Sequence, residues 1–140
     1  MILVRSALVR IARSATAGPA AAQTWRALLL LLFAAVSYLA LSPHPPKGLD
    51  TGWDKANHVL AFTALALCAH LSRPASRHAR RLLPVALLAY GGLIECVQSV
   101  VPGRSAEWGD LLADAAGIAA GVALAAAVLR LAAAAQAPGR

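Results

Sequence analysis

Between residues 111 and 134 the chain carries only two ionisable side chains, Asp114 and Arg130. A run of that length and character matches the hydrocarbon thickness of a bilayer when coiled as one α-helix, and lipid forces such a segment to satisfy its backbone internally. Three further apolar segments precede it, at residues 27–41, 54–71 and 82–101. The expected fold is therefore all-α, a four-helix transmembrane bundle. Composition agrees: 59% hydrophobic with 14% charged residues is too apolar for a soluble domain of 140 residues. Aromatics make up only 5%, so Ala and Leu carry the hydrophobicity, which suits close packing of small-residue helices. Strand patterns are absent.

The net charge of +7 suggests nucleic acid until the charges are placed along the segments. Arg5, Arg10, Arg13 and Arg26 precede the first; Arg73, Arg77, Arg80 and Arg81 lie between the second and third; Arg130 and Arg140 end the fourth. All of these fall on one side of a four-pass chain. Lys47, Lys55 and Arg104 fall on the other, with every acid: Asp50, Asp54, Glu95, Glu107, Asp110 and Asp114. The positive-inside rule then makes both termini cytoplasmic and turns the acid-rich side outward. The basic residues mark topology and lipid headgroups, and no nucleic acid is expected.

Residues 1–24 read as a basic tail able to form a short interfacial helix, 25–135 as the transmembrane domain and 136–140 as a C-terminal tail. A cleaved signal peptide competes with a signal anchor for the first segment. The anchor is preferred because Pro43 and Pro45, not a small-x-small site, follow the apolar run. Asp54 and Asp110 are expected to cap their helices, and Pro84 to sit in the first turn of the third. Cys68 and Cys96 lie at different depths and are expected to be packed thiols, not a disulfide.

Ionisable groups at membrane depth are costly and mark functional sites. Here they share one level. Lys55 and His58 open the second helix, Asp110 and Asp114 open the fourth, and Glu95 and Gln98 close the third. Each set also shares a helix face, since positions three or four apart are neighbours. Lys55, His58 and Phe62 form one stripe; Gly91, Glu95, Gln98 and Pro102 a second; Asp110, Asp114, Gly117 and Gly121 a third. Gly117 and Gly121 have the small-xxx-small spacing that lets a neighbouring backbone approach, so they are assigned to helix packing.

Two helix N-termini, Lys55 and Arg104 favour an anion at this level. The nearby acids require that some pair with Lys55, Arg104 or His58, or that one stays protonated. The expected ligand-binding set is Lys55, His58, Glu95, Gln98, Arg104, Asp110 and Asp114. Glu95, His58 and Asp114 are the candidates if a reaction is catalysed, with Glu95 or Asp114 as base and His58 as acid. Glu95 also reads as an interhelical ion-pair partner of Lys55 or Arg104, and Arg104 as an interfacial side chain. No metal or cofactor is expected, because no second His lies at the depth of His58.

The ordered motifs resemble the VanZ-like family of small bacterial integral membrane proteins. The D-K-x-x-H turn reads Asp54, Lys55 and His58; E-x-x-Q reads Glu95 and Gln98; Arg104 follows; D-x-x-x-N/D-x-x-G reads Asp110, Asp114 and Gly117. The resemblance covers roughly residues 25–130. Phe62 stands where the family often has Tyr, and Asp114 where Asn is frequent, which adds a negative charge. The resemblance implies a multi-pass protein of the bacterial inner membrane, in a family named for an accessory factor in glycopeptide antibiotic resistance. The partners expected are membrane lipids and a lipid-linked envelope precursor, and a homo-oligomer is left open.

Overall fold

The computed structural model describes residues 2–44, 46, 48, 51–72 and 76–134. Lys47, Asp50, Arg73 and Arg140, which the charge argument assigns to sides of a membrane, lie outside these residues, as does the C-terminal tail. Among the described residues there are five helices and no strands: α1 (Ile2–Thr16), α2 (Gly18–Leu41), α3 (Asp54–Leu71), α4 (Arg77–Gln98) and α5 (Trp108–Ala134).

The four expected segments are all helical, and the basic tail adds a fifth helix. α1 buries Ala12 and Thr16 and packs against α5. The chain breaks after it at Gly18, whose φ of 75° is a left-handed conformation favouring glycine. Trp25 Nε1 donates to the carbonyl of Ala15 at 2.7 Å and ties α2 back onto α1.

Several boundaries differ from expectation: α2 begins at Gly18, within the residues read as a tail, and α4 ends at Gln98 and not at 101. α4 begins at Arg77, five residues before the apolar run, because Ser76 supplies a cap: its hydroxyl oxygen accepts the Ala79 N–H at 3.0 Å. Pro84 consequently falls inside the helix and not in its first turn. Asp54 does not cap α3. Trp53 holds the cap position without a side-chain bond, and Asp54 is the first helical residue.

α2, α4 and α5 are long and apolar enough to cross a membrane. α3 is shorter, and Asp54, Lys55, Asn57 and His58 make its first two turns polar. Leu30, Leu31, Val85, Leu93 and Leu112 face outward, away from the bundle. Large apolar residues so displayed along apolar helices fit a lipid surround, and the chain is a membrane protein. Cys68 is buried, as expected of a packed thiol, whereas Cys96 is exposed; neither forms a disulfide.

The core joins Phe62, Leu65 and Ala66 of α3 to Leu87 and Ile94 of α4 and Ile118 of α5, with Leu29, Phe33 and Val36 of α2 packed against it. The tightest seam runs between α3 and α5. There Gly117 faces the Val59 carbonyl, Gly121 faces the Thr63 carbonyl, and Thr63 Oγ1 donates to the Gly117 carbonyl at 3.1 Å. Small residues allow backbones to meet this closely, and a side chain would separate them. Gly117→Ala should therefore destabilise the bundle by about 1–3 kcal/mol, since its Cβ would lie 3.1 Å from the Phe62 Cβ and nearer still to the Val59 carbonyl. Gly92→Ala, where a Cβ meets nothing within 4 Å, is the matched control and should leave the detergent melting temperature unchanged.

Candidate functional site

The first two turns of α3 and α5, the last turn of α4 and the end of α2 lie together at one end of the bundle, bringing the hydrophilic stripes to a common level. At its centre, His58 Nδ1 and Asp114 Oδ1 are 2.7 Å apart. Both side chains are buried, Asp114 fully (0% exposed). The second Asp114 oxygen, Oδ2, has no hydrogen-bond partner and is pressed towards Gly91 of α4, where any Cβ would collide with it. Gly91 is thus the residue that admits an aspartate here. Phe62, one turn on, lies parallel to the His58 ring at a centroid distance of 6.3 Å and packs near Tyr90, with ring centroids 6.0 Å apart.

With Nδ1 engaged, His58 presents Nε2 to Glu95 Oε1 at 3.9 Å, too far for a hydrogen bond. Glu95 uses its other oxygen: Oε2 accepts the backbone N–H of Glu107 at 2.8 Å, joining the end of α4 to the start of α5. Oε1 is buried and unpartnered. The alternative of an ion pair between Glu95 and Lys55 or Arg104 does not hold, because both cations go elsewhere.

Lys55 Nζ lies 2.7 Å from Glu107 Oε2 and 3.3 Å from Asp110 Oδ1. Its stem passes over Gly109, which has no side chain to block it. Asp110 is therefore a buried ion-pair partner, not a cap. The hydrogen bond from Lys55 also holds the Glu107 carboxyl below its ordinary pKa.

Arg104 donates from Nε to the Ser42 carbonyl at 3.1 Å and from Nη2 to the Leu39 carbonyl. Gln98 Nε2 donates to the Ala40 carbonyl at 3.0 Å. Both therefore serve the C-terminal turn of α2, whose carbonyls lack helical donors. A guanidinium has more N–H groups than these two bonds use, and Arg104 also borders a cavity of about 280 Å³. The cavity combines polar groups (Thr51, Asp54, Asn57, His58) with apolar walls from Val36, Leu39, Leu60 and Ile94. Lys55, Asp110 and Asp114 do not line it.

The residues matched by the family's model run from 3 to 130, nearly the whole chain, and take in α1. The chain belongs to the VanZ/LLP1 family. No curated protein and no solved structure matches it. Among the residues singled out in the sequence, His58 bonds Asp114 with Glu95 3.9 Å from its other nitrogen, Lys55 pairs with Asp110, and Gln98 and Arg104 meet the end of α2.

Sequence reasoning gave no site role to Glu107, Asn57 or Thr51. Glu107 receives Lys55 and ties down Glu95, and Asn57 Oδ1 accepts the Thr51 N–H at 3.0 Å beside the cavity. Their signal in the sequence is only adjacency to the motifs.

Asp114→Ala should lower stability by about 1–3 kcal/mol, because it leaves the buried His58 nitrogen without its partner. Glu107→Gln should leave the melting temperature near the wild-type value at neutral pH, since exposed pairs add little. Its lowered carboxyl pKa means that any Lys55 contribution is present above the ordinary carboxylate range and is lost only on acidification through the folded-state pKa. Melting curves of both variants at neutral and acid pH check these outcomes.

Proposed function

We propose that this VanZ/LLP1 protein holds the headgroup of an anionic lipid or lipid-linked cell-envelope precursor, in an accessory or resistance role. The observation that carries the reading is the cavity. It is lined by Arg104, Thr51, Asn57, His58 and the acid Asp54 together with Val36, Leu39, Leu60 and Ile94, and this pairing of polar and apolar surface supports an amphiphile. Arg104 supplies the charge for the anion, while Lys55 is taken up by Asp110 and Glu107. Family membership supports the accessory role, and the ends of the segments support the location. Arg10, Arg13, Arg26, Arg77, Arg80, Arg81 and Arg130 collect on one side if the chain crosses four times, which supports cytoplasmic termini, a bacterial inner membrane and a cavity at the outer leaflet. The length of α3, about 27 Å for 18 residues against a hydrocarbon thickness of about 30 Å, supports a fourth crossing beside the three apolar helices.

A second reading has its own observation. The Asp114–His58 bond fixes the imidazole with Nε2 towards Glu95, an arrangement suited to general acid–base work on a lipid-linked substrate. Glu95→Gln separates the two: loss of product formation with lipid still bound favours chemistry, and equal loss of both favours recognition.

Native mass spectrometry of the detergent-extracted protein should reveal a retained anionic lipid. Ala61→Phe, which fills the cavity, and Arg104→Glu should each reduce that retention by about tenfold or more, the loss expected when one charge-assisted contact is removed. Retention unchanged in Ala61→Phe, in protein that melts like wild type, rejects the reading.

A further inference from the structure

Asp54, His58 and Asp110 each offer a ligand atom, and these atoms all lie within 4.8 Å of one another. They come from the first turns of two helices, α3 and α5, that the glycine seam holds in fixed register. Three features go beyond a mere gathering of acids. His58 is buried, with 8% of its side chain exposed, and its Nε2 makes no hydrogen bond. The nearest acid to that nitrogen is Glu95, whose Oε1 is itself buried and unpartnered 3.9 Å away. The opposite nitrogen, Nδ1, is held by a fully buried carboxylate, Asp114.

We propose that His58, Asp54 and Asp110, with Glu95 beside the imidazole, form a site for one divalent transition-metal ion of the Mn²⁺ or Zn²⁺ kind. An imidazole nitrogen with carboxylate oxygens is the donor set these ions accept, whereas Mg²⁺ and Ca²⁺ take oxygen alone. Two ligands about 2.0–2.2 Å from one ion stand roughly 3–4 Å apart, so the three groups, within 4.8 Å of one another, close in slightly around an ion, and Glu95 Oε1 lies 3.9 Å from Nε2. Asp114 acts behind the site. A metal-bound His gives its other ring nitrogen to a carboxylate or carbonyl, which fixes the tautomer and raises basicity, and Asp114 stands in that position. The ion also answers the charge problem of the site, where the carboxyls of Asp54, Glu95, Asp110 and Asp114 stand near a single ammonium. Lys55, at 3.3 Å from Asp110 Oδ1, competes with the ion for that carboxylate.

Asp54 and His58 border the cavity, so a bound ion would stand at its polar end, where it can take an oxygen of a phosphate or carboxylate headgroup. That use of the ion rests on the headgroup reading above; binding of the ion does not.

The experiment uses the full chain in detergent, stripped with a chelator and titrated with Mn²⁺ alone, without lipid. Loss of the free Mn²⁺ paramagnetic resonance signal reports binding, and Zn²⁺ is then added as competitor. The expected result is about one Mn²⁺ per chain, displaced by Zn²⁺. Asp54→Asn, at an exposed position, and Glu95→Gln should each weaken binding by about tenfold or more, and Lys55→Met should strengthen it. The proposal is overturned if wild-type protein with a normal melting curve takes up neither metal, or if Asp54→Asn and Glu95→Gln bind as wild type does. Metal bound without any retained lipid would uphold this site while rejecting the headgroup reading.

Discussion

The approach of α3 to α5 over Gly117 and Gly121 is the contact on which the site depends. With no side chains between them, the α5 glycines lie against the α3 carbonyls of Val59 and Thr63, and the turn before them carries Asp114 to His58. A buried carboxylate needs a partner, and at this separation the imidazole supplies it. Gly91 does the same on the third side, since only a residue without a Cβ leaves room for Asp114 Oδ2. Packing and polar chemistry are one seam here, and neither can be altered without the other.

A second constraint shapes the outer wall. α2 ends before a proline-rich connection: Ser42 N–H still donates to the Tyr38 carbonyl at 2.9 Å, but Pro43 after it has no N–H to offer. Gln98 and Arg104 fill that need from α4 and the loop beyond it. They look like ligand-binding residues in a sequence because they are polar and placed at the right depth. In the fold their first partners are backbone, and Arg104 serves the cavity with the donors that remain. A cation that closes a helix end is also held in place, so it meets an anion without further loss of side-chain freedom.

The acids are more numerous than the cations that face them. Lys55 serves Asp110 and Glu107, His58 serves Asp114, and Glu95 keeps one buried oxygen with no partner. Unsatisfied buried oxygens are costly and uncommon, and each one in a native fold calls for an explanation. A VanZ/LLP1 protein that bound only an anion would have little reason to collect carboxylates beside it. One that uses a cation to reach an anion would.

Hydropathy and charge were enough to locate four of the helices and the membrane character, and the ordered motifs pointed to the family. Residues that open α3 and α5 and close α4 had to share a level, because alternate helices of an antiparallel chain present alternate ends, and the three- and four-residue spacing of Lys55, His58, Asp110 and Asp114 assigned their faces. Tertiary structure alone decided which groups meet. That Glu95 binds the Glu107 backbone and not Lys55, that Asp110 is a buried ion-pair partner and not a cap, and that Arg104 turns to α2 all depend on helix rotation and tilt at the scale of an ångström. Hydrogen bonds are sensitive at that scale, whereas the burial of apolar surface, which writes the pattern in the sequence, is not.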